Sequence, residues 1–173
     1  MDIRPRAADD VPACVEMFSV VHERDGYPVY LPNDLTAFVA GGDELGAWVA
    51  CVGASIVGHV ALHSRSWGGV MRVVREVLCC AEEEIAVVAR LAVAPSARRR
   101  GVGRALLTRA AHASITLGRR PVLDVAAHYE DAIRLYDAAG WSPVGTVSFP
   151  LPNGTAVDEV VFAGPEQLEG DPL

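Results

Sequence analysis

The segment from Ala89 to Leu107 constrains this chain more than any other. Leu91-Ala92-Val93 reads as the apolar end of a strand, and Pro95 marks a bend. Arg98-Arg99-Arg100-Gly101-Val102-Gly103-Arg104 then forms a turn that opens a helix. Glycine stands where backbone must take an unusual conformation or come close to a neighbour. The first amides of the helix lack internal partners and carry the positive end of its dipole. Such a terminus suits phosphate, and the arginines before it add charge. A pyrophosphate-bearing ligand held by backbone amides is the expectation. The P-loop is excluded, because no Gly-Lys-Ser/Thr follows. The dinucleotide fingerprint fails as well, because Leu106 stands where its third glycine belongs.

The rest of the chain supplies strands and helices in alternation. Ile3-Arg4-Pro5-Arg6 reads as an edge strand. Asp9 or Asp10 then caps a helix in which Val11, Val15, Phe18 and His22 recur at helical spacing. Glu23 to Pro32 breaks the pattern. This loop, with Tyr27 and Tyr30, either walls an acceptor pocket or simply connects two helices. A short helix over about 34–40 ends at Gly41-Gly42. Residues 47–52 and 56–63 form a hairpin. It places His59 and His63 on one strand face, where packing or solvent exposure is a better reading than metal ligation. Residues 64–84 carry an unexpected helical stripe of Val70, Val73, Val74, Val77 and Leu78. That segment is read as a lid, a dimer surface or a cover for a sheet edge. Ile85 to Val93 is apolar enough for a buried central strand, with Arg90 as its one charge, reaching either into the cleft or, as the preferred reading, outward to solvent. In the next helix Leu106, Ala110, Ala113 and Leu117 share a face, and Gly118 ends it. Residues 121–125 form a strand, and residues 144–149 and 157–162 a last hairpin. Residues 165–173 read as a frayed polar tail.

Two motifs carry a resemblance. Arg98-x-x-Gly101-x-Gly103, after Leu91-Ala92-Val93-x-Pro95, resembles the acyl-CoA-binding motif of the GNAT superfamily of N-acyltransferases. Tyr129-x-x-Ala132-x-x-Leu135-Tyr136-x-x-x-Gly140-Trp141 is similar to that family's Asn-x-x-Ala-x-x-Leu-Tyr-x-x-x-Gly-Phe, with Tyr129 at the Asn position and Trp141 at the Phe position. The resemblance implies an α/β (α+β) fold. Its sheet is mixed, mostly antiparallel and twisted, with six to seven strands and about four flanking helices, split between two parallel strands. One domain over 1–164 is implied, with 64–84 as a helical insertion. It also implies acetyl-CoA as co-substrate. Leu91, Ala92 and Val93 would line the pantetheine, Arg98, Arg99, Arg100, Gly101, Val102, Gly103 and Arg104 would wrap the pyrophosphate, and Tyr129 would replace an Asn contact to the pantetheine arm.

Amine acylation by a thioester requires a base for the amine proton and an acid for the departing thiolate. Tyr136 matches the tyrosine that serves as acid in many relatives. Many relatives also place a Glu on the strand before the phosphate turn, but Val87, Val88 and Ala89 stand there. Asp124, the one charge in Val122-Leu123-Asp124-Val125, is the next candidate, ahead of Glu76 and His128.

The implied activity is transfer of an acetyl group to a primary amine, of a small molecule or a peptide, by direct attack in a ternary complex. The alternative is an acyl-CoA-binding regulatory module with a degraded site; a third reading is nucleotide binding without CoA. The formal net charge of −7 disfavours general nucleic-acid binding and leans towards a cationic amine. No apolar run reaches the length of a membrane span. The N-terminus lacks a signal-peptide segment, and Cys14, Cys51, Cys79 and Cys80 show no zinc or disulfide spacing. A cytoplasmic protein without metal, and possible as a homodimer, is the expectation.

Overall fold

Runs of alternating and continuous apolar residues become strands in the computed structural model, which describes residues 1–166. The elements in chain order are β1 (Asp2–Pro5), α1 (Val11–Asp25), α2 (Leu35–Ala40), β2 (Glu44–Val52), β3 (Ser55–His63), α3 (Gly68–Leu78), β4 (Ile85–Val93), α4 (Val102–Thr116), β5 (Arg120–Ala126), α5 (Glu130–Ala138), β6 (Ser142–Pro150) and β7 (Ala156–Ala163). The sheet has seven strands in the order β1-β2-β3-β4-β5-β7-β6. It is mostly antiparallel, with β4 and β5 as its parallel pair. Among the described residues no helix is long and apolar enough to cross a membrane. The chain forms two compact units, one of residues 1–64 and 88–110, the other of residues 65–87 and those from 111 onward.

In the first unit β1 pairs with β2, and β2 turns tightly into β3 with Val52 opposite Ser55. The buried face of α1 is Cys14, Met17, Phe18 and Val21. Only Phe18 belongs to the expected stripe. Val11 and Val15 flank that core, and the His22 ring nitrogen instead holds the Pro28 carbonyl at 2.9 Å. Asp10 does not cap α1 with its side chain. Its carboxylate accepts from Ala7 N–H at 2.7 Å and from both Arg4 terminal nitrogens at 2.6 and 2.7 Å. A bidentate charged partner outcompetes a neutral amide. Asp34 does cap α2, accepting from Ala37 N–H at 2.9 Å. Gly58 on β3 is where α4 comes close: a Cβ there would stand 2.8 Å from Leu106 and 3.0 Å from Val102. The buried face of α4 is Val102, Leu106, Leu107, Ala110, Ala111 and Ser114. Leu117 lies past the helix end and is 53% exposed, so it leaves the expected stripe.

In the second unit Ile85, Ala86 and Val87 of β4 pair with Arg120, Pro121 and Val122 of β5. β5 pairs with β7, and β7 with β6, so the last hairpin folds back with its second strand inside. The helix α3 lies on β6 and β7. It buries Val70, Met71, Val73 and Val74 against Ile85, Val87, Val122, Val147 and Val161. Val77, expected in the stripe, is 51% exposed. Gly145 makes the close seat possible, since a Cβ there would meet Val73 at 2.6 Å. The 64–84 segment is therefore a cover for the β6–β7 hairpin. Of the tail, 167–173 lies outside the described residues.

Candidate active site

Two places hold the residues singled out by sequence, one in each unit. The first is the strand–turn–helix from Leu91 to Arg104. After β4, Ala94 N–H donates to Val57 O at 2.9 Å, and Pro95–Ala97 make one 3-10 turn closed by Ala97 N–H to Ala94 O at 2.9 Å. Arg99 and Gly101 then take positive φ, 57° and 80°. Gly101 suits that geometry because it has no Cβ, whereas Arg99 bears the cost of a left-handed side-chain residue, about 1–2 kcal/mol. Space around Gly101 is open, with nothing within 4 Å of where a Cβ would stand. Ala105 N–H donates to Gly101 O at 3.0 Å, which starts the regular turns of α4. The Arg99, Arg100 and Arg104 side chains are exposed.

Arg98 acts differently from its neighbours. Its Nε donates to Val93 O at 3.2 Å, and its terminal nitrogen pairs with Asp25 at the end of α1. That bond holds the Asp25 carboxyl below its ordinary range. Arg98 thus braces the turn against the first helix.

Arg90 corrects an expectation. It does not reach outward. With φ of 55° it kinks β4, and its guanidinium lies 4.9 Å over the Phe38 ring. Its terminal nitrogen donates to Gly41 O at 3.2 Å. His59 and His63 both face inward, at 0% and 6% exposure. Burial first, and nearby positive charge after it, hold both imidazoles down at about 4, so they are neutral.

The second place lies on β5, β7 and the start of α3. Asp124 stands opposite Val161, and Glu159 opposite Ala126. Cross-strand partners share a face and residues two apart repeat it. Asp124 and Glu159 are therefore diagonal neighbours on the face that α3 covers. Ser66 Oγ donates to Asp124 Oδ1 at 3.1 Å, and Trp67 Nε1 donates to Glu159 Oε2 at 3.2 Å. Trp67 is steadied by an edge-on contact with Phe149 at 5.2 Å. Desolvation raises the Asp124 carboxyl despite the Ser66 bond. Desolvation, then the charge of Asp124, pushes Glu159 up to about 7, with the Trp67 bond opposing.

Tyr136 packs against Phe162 at 5.7 Å and Trp141 at 6.3 Å. Phe162 pairs with Leu123, so this is the opposite face of β5 from Asp124. Desolvation, and then the charge of Asp124, raises the phenol well above its ordinary value, which keeps it protonated. Tyr129 begins α5, with its amide donating to Ala126 O at 2.9 Å and its ring 4.2 Å from that of His128. Glu76 is exposed and paired with Arg72 at 3.6 Å on α3, which sets it apart from these carboxyls. The sequence singled out Asp124, Tyr129 and Tyr136 as candidates, and the structure adds Glu159, Ser66 and Trp67 beside Asp124. The signal for Glu159 was present: Val157-x-Glu159-x-Val161 puts one carboxyl on an otherwise apolar strand face.

The sequence from 13 to 141 matches the model of the acetyltransferase (GNAT) family. The chain belongs to that family. The match contains the Gly101/Gly103 turn, Asp124 and Tyr136, and reaches Trp141. Solved structures agree in fold. Arabidopsis thaliana NAA60 in complex with acetyl-CoA is 22% identical, with a TM-score of 0.71, covering 94% of this chain and 96% of its own. The ribosomal-protein-S18-alanine N-acetyltransferase from Escherichia coli is 20% identical, with a TM-score of 0.66 and coverage of 99% and 97%. The yncA protein from Salmonella typhimurium, a putative acetyltransferase solved with acetyl-CoA, is 16% identical, with a TM-score of 0.72 and coverage of 99% and 97%. No curated protein matches the sequence. The parallel β4–β5 pair and the seven-stranded sheet fit the GNAT fold, with seven strands within the expected six to seven and, among the described residues, five α-helices against the expected four or so.

Proposed function

We propose that this GNAT protein is an acetyl-CoA-dependent N-acetyltransferase, acting as one domain over 1–164 in the cytoplasm. It would pass the acetyl group to a primary amine, of a small molecule or a peptide, by direct attack in a ternary complex. The observation that carries this reading is the family match over 13–141, which encloses both the phosphate turn and Tyr136. Acetyl-CoA brings the activated thioester, and this chain's residues bind it and move protons. The open, doubly left-handed turn at Arg99 and Gly101 fits a phosphate group held by amides of residues 99–104. The exposed Arg99, Arg100 and Arg104 add charge, while Arg98 fixes the turn. Leu91, Ala92 and Val93 offer strand edges to the pantetheine, and Tyr129 a ring at the start of α5.

The Asp124–Glu159 pair is the base. Two coupled carboxyls titrate as a unit, and one with its pKa near 7 accepts a proton readily at neutral pH. Tyr136 is the acid. As the carbon–nitrogen bond forms and the carbon–sulfur bond breaks, the amine proton goes to the carboxyl pair and the sulfur takes the phenol proton. Because Tyr136 and the carboxyl pair lie on opposite faces of β5, they do not both touch the reacting carbon: Tyr136 would serve the sulfur, and the pair would take the amine proton, and return one to the phenol, through bridging water.

Mixing the protein with acetyl-CoA and a panel of amines should release free thiol. Tyr136→Phe should lower turnover about 100-fold and leave CoA affinity by calorimetry unchanged. Tight CoA binding without thiol release from any amine would make the protein a binding module instead.

A further inference from the structure

Arg90 is the one charge in the apolar run Ile85 to Val93, and the fold spends a strained residue to aim it. A non-glycine residue at positive φ persists only where its surroundings hold it. Here a buried network does so. His59 Nδ1–H donates to Arg90 O at 3.0 Å, while Arg6 donates to His59 Nε2 at 3.1 Å and fixes that tautomer. Arg6 is itself clamped by Glu44, with its terminal nitrogen 3.0 Å from both carboxylate oxygens. The kink turns the Arg90 side chain onto Phe38 and Gly41, beside the α1–α2 loop that carries Tyr27.

That guanidinium is half-buried, and among the described residues it forms no ion pair. Glu44, whose charge it feels, is taken by Arg6. Gly41 O uses one of its five N–H donors. Within range of its charge lies His63, 6% exposed, whose Nε2 is buried without a partner. A guanidinium with unused N–H donors, with His63 in its Nε2–H tautomer as a second donor, suits a carboxylate.

Resting on the acyltransfer reading above, we propose that Arg90, with His63, binds a carboxylate of the acceptor, so that the acceptor is an amine bearing a carboxylate. Arg90 immediately precedes Leu91, the first residue proposed for the pantetheine, which would bring an acceptor anchored on it towards that arm. A free α-amino acid and a peptide beginning with an acidic residue share this chemistry. The acidic net charge of the chain favours cationic amines at long range; a local guanidinium overrides it at contact distance.

The test measures thiol release with acetyl-CoA for matched amines: α-amino acids against their amides, and peptides beginning with Asp or Glu against Asn or Gln. Rates are compared at equal concentration of neutral amine. In one or both pairs the carboxylate form should be preferred by about 30-fold in kcat/KM; which pair shows it separates the two sources. Arg90→Met keeps the stacked stem and should bring the ratio near one, with CoA affinity unchanged. Arg90→Lys, a milder change to packing, should keep part of the preference, and Arg90→Glu should turn it towards diamines. Thiol release without a preference, or a preference that survives Arg90→Met, overturns the proposal and leaves the acetyltransferase reading intact. No release with any amine overturns both.

Discussion

Two buried polar clusters, the Arg6–Glu44–His59 chain in the first unit and the Asp124–Glu159 pair in the second, respond to burial in opposite ways. In the first, Arg6, Glu44 and His59 form a chain in which each group meets a fixed partner, down to a bidentate ion pair at 3.0 Å. Burial lowers the His59 pKa to about 4, so it stays neutral at ordinary pH. In the second, Asp124 accepts from Ser66 and Glu159 from Trp67, and burial raises both carboxyls. A satisfied network holds backbone in place, as at Arg90. A desolvated carboxyl pair holds a proton more readily than free carboxyls do. The same cost of desolvation supports a scaffold in one unit and, on the proposed mechanism, proton transfer in the other.

The sharpest way to break this contrast is Glu159→Gln. Wild-type kcat/KM should rise as pH passes up through about 7, where Glu159 loses its proton, and then level off. The variant should lose that limb and about 100-fold in rate. A limb that survives would assign the proton to another group. Next in size is Trp67→Phe. The Trp67 bond pulls the Glu159 pKa down, so its loss should move the limb to higher pH and cost several-fold in rate at pH 7, with the alkaline plateau unchanged. The pH profile separates this from simple damage.

The smallest effect is on stability, and here the units should differ in sign. The histidines titrate at about 4 when folded and near 6.5 when unfolded. Their contribution is intact above pH 6.5 and is lost as pH falls towards 4. Glu159 titrates at about 7 folded and near 4.5 unfolded, so the folded state gains stability as pH falls from 7 to 4.5. Between pH 6.5 and 4.5 the two oppose each other. Removing the Glu159 term with Glu159→Gln should make the acid-induced drop in Tm larger, by about 2–4 °C, and His63→Gln should make it smaller. Tm measured at pH 7.5 and pH 5 for the three proteins checks both directions.

Much of the fold was legible in the sequence, because strand runs, helix ends and the phosphate turn each follow a local rule. Gly101 announced its positive φ; Arg99 and Arg90, with the same sign of φ, did not, because arginine has no preference for it. The outward reading of Arg90 failed for that reason. Asp124 was readable as a charge among apolar neighbours. Its coupling to Glu159 depends on the β5–β7 register, and the partner of Glu159 is a tryptophan 92 residues away. No local pattern carries such a contact. The stripe on α1 was displaced because the core selects Cys14 and Met17 over Val11 and Val15, a choice made by the sheet beneath the helix.

On the proposed mechanism, the seat of α3 on Gly145 bears on catalysis. Val73 fits there only because the strand offers no methyl group. The same helix begins just after Ser66 and Trp67, which grip the carboxyl pair. A methyl at position 145 would therefore act as a remote tuning screw: lifting one end of a helix would detune an acid–base couple it never touches.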